Sequence, residues 1–196
     1  MESKELIVGP RSPRRLVLIT AIFIPLLLLF IVLIWSLINQ QSGIQEDPMN
    51  RNFSSQTMRG IPAPAFTLEL FDGDMFRLAD ASGEPTVVSF WSSWCPSCRL
   101  EAPIVVEMDR RYHEIGVNFI GIAIWDSEAN AKKFASEHGL AFPVGLDKNG
   151  SIAIDYGVTG LPEKFFINRD GEIVKKLTGP VSEQQMEEAI LSIVER

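Results

Sequence analysis

Cysteine and histidine are scarce in this chain, which has only two of each among its 196 residues. Two histidines leave too few ligands at suitable spacing for a structural zinc site, because such sites take four Cys or His ligands at short intervals. Cys95 and Cys98 lie in the segment "WSSWCPSCRLEAP". A disulfide between them would close a very short loop, and the stabilisation from a cross-link grows with loop length. We therefore interpret the pair as a chemical group and not as a staple.

Basic residues are also in the minority. The chain has 18 Lys and Arg against 25 Asp and Glu, a net charge of −7, and the acidic excess lies after residue 60. Proteins that bind nucleic acid use Lys and Arg to neutralise phosphates, so the charge argues against nucleic acid as a partner.

Ionisable residues are missing altogether from Leu16 to Ile38, "LVLITAIFIPLLLLFIVLIWSLI". A helix of this length rises roughly 35 Å, enough to cross the hydrocarbon core of a membrane. Arg11, Arg14 and Arg15 flank its N-terminal end. The positive-inside rule then places residues 1–15 in the cytoplasm and the rest of the chain outside it. The pattern predicts a single-pass protein of the inner membrane, with its C-terminal domain on the periplasmic side.

A cleaved signal peptide is the competing interpretation of this segment. Its apolar core is about 7 to 15 residues long and ends in small residues at the cleavage site. The segment here is longer and is followed by Asn39, Gln40 and Gln41, so we favour an uncleaved anchor over residues 16–38. Residues 39–60 are polar without periodicity and predict a linker, and the folded domain is expected over 61–196.

The hydrophobic pattern after residue 60 predicts a mixed α/β domain. Phe66 to Leu78 is expected to form a hairpin that turns at Asp72-Gly73, and Thr86 to Trp91 reads as a strand buried on both faces. Helix is predicted from about Cys95 to Ile115, broken or kinked near Pro103. The order is βαβα followed by ββα, which favours a central sheet with helices on both faces.

The second half supplies the remaining elements. Val117 to Ile124 reads as another buried strand, and Ser127 is a plausible cap for a helix that stops at Gly139. A second hairpin is expected over Lys164 to Leu177. Ser182 and Gln185 have capping-box spacing at the start of a last helix, whose Met186, Ile190 and Ile193 share one face.

A strand that runs into Trp-Cys-x-x-Cys at a helix start is typical of a thioredoxin-like redox site. A cysteine in the first helical turn meets free N–H groups and the positive end of the helix dipole, which stabilise the thiolate. Cys95 is therefore the expected nucleophile, ionised and open to solvent. Cys98 comes back alongside it and is the expected resolving thiol. Pro96 fits helix position N1 or N2.

Other uses of two cysteines fit less well. Attachment of c-type haem needs His directly after the second Cys, where this chain has Arg99. His113 and His138 are distant in sequence, so no metal site is expected. A copper-chaperone role through His138 is a weak alternative.

Two segments resemble a known family. "VVSFWSSWCPSCRLEAP" and "GVTGLPEKFFINRDGEIV" are similar to the TlpA-like branch of thioredoxin-like proteins, membrane-anchored thiol-disulfide oxidoreductases that include CcmG (DsbE) and ResA. The resemblance extends from about Ile61 to the C-terminus. It implies a thioredoxin-like fold with an N-terminal hairpin and a central insertion, with an extra helix between Val117 and Tyr156. It implies no cofactor beyond the redox-active Cys95–Cys98 disulfide.

The resemblance also assigns roles near the cysteines. Pro162 matches the family's cis-proline, which would leave the backbone of Leu161 to pair with an extended substrate. Glu101 matches a glutamate thought to assist proton transfer, although an exposed helix glutamate is the alternative. Ordinary thioredoxins have a buried Asp where this chain has Ser89, so acid–base duty would pass to Glu101.

Two further residues are candidates for substrate binding. Glu163 resembles the Pro-Glu pair of CcmG-type proteins and would select partners by charge, with a solvated surface glutamate as the alternative. Trp94 and Trp91 are expected beside the site, and Trp94 is the better candidate for substrate contact.

The family implies a function and a set of partners. These are protein thiol or disulfide substrates, among them apocytochrome c, which would be reduced before haem attachment with electrons from a membrane thiol reductant. A general thiol oxidase or isomerase for secreted proteins is the rival enzyme. A non-catalytic membrane-tethered binding module is the alternative of a different class.

Overall fold

A computed structural model describes residues 23–35 and 54–194 of the chain. Residues 23–35 are helical and their side chains are exposed. Among the residues described, no helix reaches the length and apolarity needed to cross a membrane. The remainder of the predicted anchor at 16–38, the predicted cytoplasmic segment 1–15 and residues 39–53 of the predicted linker lie outside the described residues. The chain divides into two compact units, Met1–Met49 and Asn50–Arg196, and the second carries the cysteines.

The second unit is a mixed α/β fold. Its strands are β1 (Ser54–Pro62), β2 (Thr67–Glu69), β3 (Met75–Arg77), β4 (Thr86–Trp91), β5 (Asn118–Ala123), β6 (Val144–Leu146), β7 (Glu163–Ile167) and β8 (Glu172–Thr178). Its helices are α1 (Pro96–Tyr112), α2 (Glu128–Glu137), α3 (Ser151–Asp155) and α4 (Glu183–Val194). Short 3₁₀ turns follow β3 at Leu78–Ala81 and α1 at His113–Ile115.

The main sheet has six strands in the order β1-β8-β7-β4-β5-β6. Strands β4, β5 and β6 are parallel, whereas β7, β8 and β1 pair in antiparallel fashion. Strand β4 lies in the centre and all six of its residues are buried. Alternate β4 side chains join two cores: Val87 packs with residues of α1 and α4, and Val88 and Phe90 pack with β2 and α3 on the other face.

Strand β1 corrects the predicted domain start. Residues 54–60 were expected to belong to the linker. They are part of strand β1, which pairs with β8 over Ser54 to Thr57 and again at Ile61 and Pro62. This strand was not predicted, because an edge strand is held by backbone hydrogen bonds and does not need alternating apolar and polar residues. The folded unit therefore includes residues before Ile61.

The N-terminal hairpin is present as β2 and β3. Its turn contains Gly73 at φ 98°, a left-handed conformation that glycine adopts without strain, and Asp72 Oδ1 accepts the N–H of Asp74 at 3.0 Å. The prediction of a turn at Asp72-Gly73 is confirmed. Leu70 forms a bridge to Gly145 of β6, so the hairpin lies against the edge of the main sheet.

Helices α2 and α4 begin at the capping residues that were predicted from the sequence. Ser127 Oγ accepts the N–H of Asn130 at 3.2 Å at the start of α2. At α4 the hydrogen bonds of the capping box form in both directions between Ser182 and Gln185. Helix α1 continues across Pro103, so the predicted break there is wrong, and the alternative of a kink stays a prediction. Pro103 cannot donate to the carbonyl of Arg99, and the helix is held instead by its buried residues, Val105 and Met108 among them.

The region between β5 and β7 contains the helix predicted after Ser127, a second helix that fits the expected extra one, and a short strand that was not predicted. It comprises α2, the short strand β6 and the five-residue helix α3. Ile152, Ala153 and the following Tyr156 join the core on the hairpin side of the sheet. The additional elements therefore extend the main sheet by one strand and cover part of one face.

We predict that Gly145→Ala destabilises the domain. A Cβ at this position would meet the backbone oxygen of Glu69 and lie 2.8 Å from Leu68 Cγ, so hairpin and sheet would have to separate. Overpacking of this kind costs about 1 to 3 kcal/mol. Urea unfolding of the detergent-solubilised chain measures the change in the free energy of unfolding. Gly160→Ala is the control, since a Cβ there meets nothing within 4 Å. Equal stability of the two variants would contradict the tight contact.

Candidate active site

The turn between β4 and α1 is fixed to the loop that follows β5. Ser92 Oγ donates to the backbone oxygen of Ile124, and the Ser93 N–H donates to Asp126 Oδ2 at 2.6 Å. Within the turn, the Cys95 N–H donates to Ser92 O at 3.2 Å. Ser92 is fully buried, so its hydroxyl needs this acceptor. These bonds set the position at which α1 begins.

Cys95 is the N-cap residue of α1 and forms a disulfide with Cys98. Its Sγ accepts the N–H of Cys98 at 3.2 Å, and Pro96 occupies the first helical position, as predicted. The Cα atoms of the two cysteines are 5.3 Å apart. The N-terminal N–H groups and the helix dipole stabilise negative charge on Cys95 when the disulfide is reduced.

Both sulfurs lie within an apolar cluster. Cys95 is 4% exposed and Cys98 is 3% exposed, with Trp91 and Phe134 among their neighbours. The expectation that the sulfur of Cys95 is open to solvent is therefore wrong for the disulfide form. Both cysteines are therefore nearly inaccessible to solvent in the disulfide form.

The loop before β7 reaches the disulfide. The Leu161–Pro162 peptide bond is cis, as the resemblance implied, and Leu161 packs against the cluster that contains both cysteines. The backbone oxygen of Pro162 accepts the N–H of Gly179 at 2.8 Å. The structure thus brings Leu161 and Pro162 to the site, and pairing of the Leu161 backbone with a substrate stays a prediction.

Two exposed indoles belong to the loops at this edge of the sheet. Trp94 directly precedes Cys95 and is 57% exposed, which suits the predicted substrate contact. Its Nε1 donates to the backbone oxygen of Trp125 at 2.9 Å, and Trp125 is itself 54% exposed. Trp125 has φ 54°, a left-handed conformation that is rare for a bulky residue and is often found at functional sites. Trp125 was not predicted as a site residue, because no local pattern marks a left-handed residue between a strand and a helix cap.

Glu101 lies one helical turn beyond Cys98 and is buried, so the alternative of an exposed helix glutamate is wrong. One carboxylate oxygen forms an ion pair with Lys164 Nζ, and the other accepts the N–H of Val181 at 3.2 Å. Burial raises the pKa of Glu101, and the attraction of Lys164 opposes this rise. Burial likewise lowers the pKa of Lys164, opposed by Glu101. Both pKa values therefore move toward the neutral range, where proton exchange is easiest.

Lys164 is the second residue that the sequence analysis missed. It was placed in a strand but given no function, although it is fully buried. The signal was a lysine inside the apolar run "KFFIN". A lysine is almost never fully buried without a partner, and the partner lies on a different element.

Glu163 does not face solvent or partners. It is fully buried, its Oε1 accepts the Thr159 hydroxyl at 3.0 Å, and its Oε2 pairs with Lys176 Nζ at 2.9 Å. The predictions of a partner-selecting charge and of a solvated glutamate are both wrong. The carboxylate instead ties the loop before Pro162 to β8.

His138 belongs to an aromatic stack. Its ring lies on that of Phe134 with 4.1 Å between ring centroids, and Phe134 stacks on Trp91 at 4.6 Å. In residues 23–35 and 54–194, no group of three or more Cys, His, Asp and Glu side chains has the arrangement of a metal site.

A Cys-x-x-Cys disulfide at the start of a helix, reached from a buried central strand and faced by a cis-proline loop, defines a thioredoxin-like thiol-disulfide oxidoreductase. The sequence model of the AhpC/TSA family matches residues 60–176. The chain belongs to this family, and within the family it is of the TlpA, ResA and CcmG type.

Individual relatives agree with that assignment. The thiol-disulfide oxidoreductase ResA of Bacillus thuringiensis is 34% identical over 134 residues, which cover 68% of this chain and 78% of ResA. A thiol:disulfide interchange protein of the thioredoxin family from Chlorobium tepidum superposes with a TM-score of 0.65 at 27% identity, covering 71% of this chain and 99% of that one. A secreted Mycobacterium tuberculosis disulfide oxidoreductase homologous to DsbE gives a TM-score of 0.60 at 27% identity, covering 65% and 95%.

We predict that Glu163→Ala costs about 1 to 3 kcal/mol of stability, because it leaves the Lys176 ammonium and the Thr159 hydroxyl without their buried acceptor. Denaturant unfolding measures the loss. The control is Glu69→Ala, which breaks an ion pair of similar length, 2.8 Å to Lys148, between side chains that are 58% and 55% exposed. Solvent screens that pair, so its loss leaves stability nearly unchanged. Similar effects for both variants would disprove a structural role for Glu163.

Proposed function

We propose that this oxidoreductase is anchored in the inner membrane by residues 16–38 and reduces disulfides of apocytochrome c on the periplasmic side, before haem attachment. A membrane thiol reductant supplies its electrons. The observation that carries the proposal is the Cys95–Cys98 disulfide at the start of α1 beside cis-Pro162, in a chain similar to ResA. The apolar segment 16–38 and its arginine flank support the location.

The reaction transfers two electrons in two exchanges. The reduced Cys95 thiolate attacks a sulfur of the substrate disulfide and forms a mixed disulfide, and one substrate sulfur leaves as a thiolate. Cys98 then loses its proton and attacks Cys95 Sγ, which releases the second substrate thiolate and leaves the Cys95–Cys98 disulfide seen in the structure. A membrane dithiol reverses these steps and restores the two thiols.

The site favours this sequence of bonds. The helix start stabilises Cys95 as a thiolate, so it is both a good attacking group and a good leaving group. The 5.3 Å between the Cα atoms lets Cys98 reach Cys95 within the helical turn. Exposed Trp94 and Trp125 provide aromatic surface for a polypeptide beside sulfurs that are themselves covered.

Cys98→Ala is expected to accumulate mixed disulfides in cells, because the second thiol that would release the substrate is missing. Immunoprecipitation of the full-length chain, with and without a reducing agent, identifies the trapped proteins. We expect polypeptides with a Cys-x-x-Cys-His haem-attachment motif and a membrane dithiol protein. Cys95→Ala is the matched control and should trap nothing, because it removes the thiol at the helix N-cap, where the free N–H groups stabilise the attacking thiolate. Normal cytochrome maturation in both variants would favour the binding module instead.

The direction of exchange follows from the reduction potential. We expect equilibration with glutathione redox buffers to give a value well below the roughly −120 mV of a strong periplasmic oxidant. A value near that of the oxidant would rule out the reductant and support the thiol oxidase or isomerase. Quantification of free thiols in the wild-type chain measures the equilibrium, with the Cys95→Ala, Cys98→Ala double variant as the blank.

A further inference from the structure

Lys164 is a fully buried cation in an apolar layer. Along β7 it shares a face with Phe166, which packs with Val105 and Met108 of α1 and with Met186 of α4. An ammonium group in such surroundings loses its hydration. The free-energy cost of that loss is far larger than the stabilisation from an ordinary surface ion pair. A fully buried lysine therefore calls for a reason other than stability.

The charged groups around Lys164 are few. Glu101 of α1 forms an ion pair with it, and Glu163 is its neighbour along the strand. Glu163 points to the opposite face of the sheet, where it pairs with Lys176. The residues opposite Lys164 in the neighbouring strands, Ser89 and Leu177, are uncharged. The buried residues of α4 are also uncharged, so the charge of Lys164 is balanced by Glu101.

Glu101 and Cys98 border the same small cavity. It has a volume of about 20 Å³, enough for one water, and Ser89 and Trp91 line it from β4. Among the described residues, Trp91 Nε1 is buried without a hydrogen-bond partner. The remaining lining residues are Ala102, Val105, Phe134, Leu140 and Phe142. The resolving thiol, the carboxylate and the lysine thus form a continuous buried series, with Lys164 at its far end.

We propose that Lys164 is a positioning residue for proton exchange at Cys98: it fixes the Glu101 carboxylate and supplies the positive charge that balances whichever of Glu101 and Cys98 is ionised. The inference rests on the proposed thiol-disulfide exchange, in either direction. Before the resolving step, Glu101 is the anion and Cys98 is a thiol. After the proton passes through the cavity, Cys98 is the anion and Glu101 is neutral. The net charge of the buried group stays at zero in both states, so neither state leaves an unbalanced charge in the interior.

The chemical step balances. The Cys98 thiol gives its proton to Glu101, and its electron pair forms the bond to Cys95 Sγ. The bond between Cys95 and the substrate sulfur breaks, and that sulfur leaves with the bonding electrons. In the reverse step Cys98 leaves as a thiolate and Glu101 returns the proton.

The test is the ionisation of Cys98 in the full-length Cys95→Ala chain, where it is the only thiol. Thiolate absorbance against pH measures it. Adding Lys164→Met should raise the pH of ionisation by about one to three units, because the balancing cation is gone. Adding Glu101→Gln instead should lower it by about one unit, because the competing anion is gone. A purely structural lysine would not produce shifts of opposite sign.

The matched control is Lys176→Met, which removes a lysine from the Lys176–Glu163 ion pair on the opposite face of the sheet. It should leave Cys98 ionisation unchanged. An equal shift in this control, or no shift with Lys164→Met, would overturn the proposal. If Lys164→Met does not fold by circular dichroism, Glu101→Gln decides alone, since an unchanged titration there disconnects Cys98 from the pair. The titration needs no partner, so it stands apart from failure of the proposed reductase activity in a wild-type exchange assay.

Discussion

Strand β4 is buried on both faces, and that constraint places every part of the site. A strand with apolar side chains above and below must lie in the middle of the sheet, between β5 and β7. The chain leaves it at one edge, where α1 begins with Cys95.

The loops of both neighbouring strands lie at this same edge. Because β5 is parallel to β4, with Ala123 opposite Trp91, the loop after β5 emerges there. Because β7 is antiparallel, with Glu163 opposite Phe90, its preceding loop begins there too. Cys95, Trp125 and Pro162 therefore meet through sheet geometry, although they are far apart in sequence.

Strand β7 carries two charges into the interior, one on each face. Glu163 faces the side of Thr159 and Lys176, and Lys164 faces helix α1 and Glu101. The two ion pairs have different consequences. The first pair joins a loop to a neighbouring strand and fixes the approach to Pro162. The second pair adjoins Cys98, because Glu101 and Cys98 line the same cavity, and this contact is the basis of the role that we propose for Lys164. A single strand thus positions the cis-proline and balances the charge behind the disulfide.

The parts that were predictable from sequence depend on local patterns. Continuous apolar runs identified β4 and β5, and cap residues such as Ser127 identified the helix starts. The parts that were not predictable depend on partners distant in sequence. Polar β1 pairs only through its backbone, and nothing in the run around Lys164 reveals that Glu101 will neutralise it. The left-handed backbone of Trp125, whose carbonyl accepts a hydrogen bond from Trp94, has no local signature in the sequence. The predictions for Glu163 were wrong because a charged residue is expected to be exposed, and its buried partner cannot be identified from the sequence.

The sulfurs of the disulfide are covered, whereas two indoles at the same edge of the sheet are exposed. With Cys95 only 4% exposed, the disulfide offers a partner almost no surface to bind. The large exposed area at this edge of the sheet belongs instead to Trp94 and Trp125, which are joined by a hydrogen bond. Aromatic surface binds polypeptides of many sequences, since it buries area without demanding a particular hydrogen-bond partner. The ion pair of Glu101 and Lys164, to which we assign the proton and charge adjustments, is buried in the interior. Under these proposals, exposed residues select the partner and buried residues tune the thiols, so the two roles are assigned to different side chains.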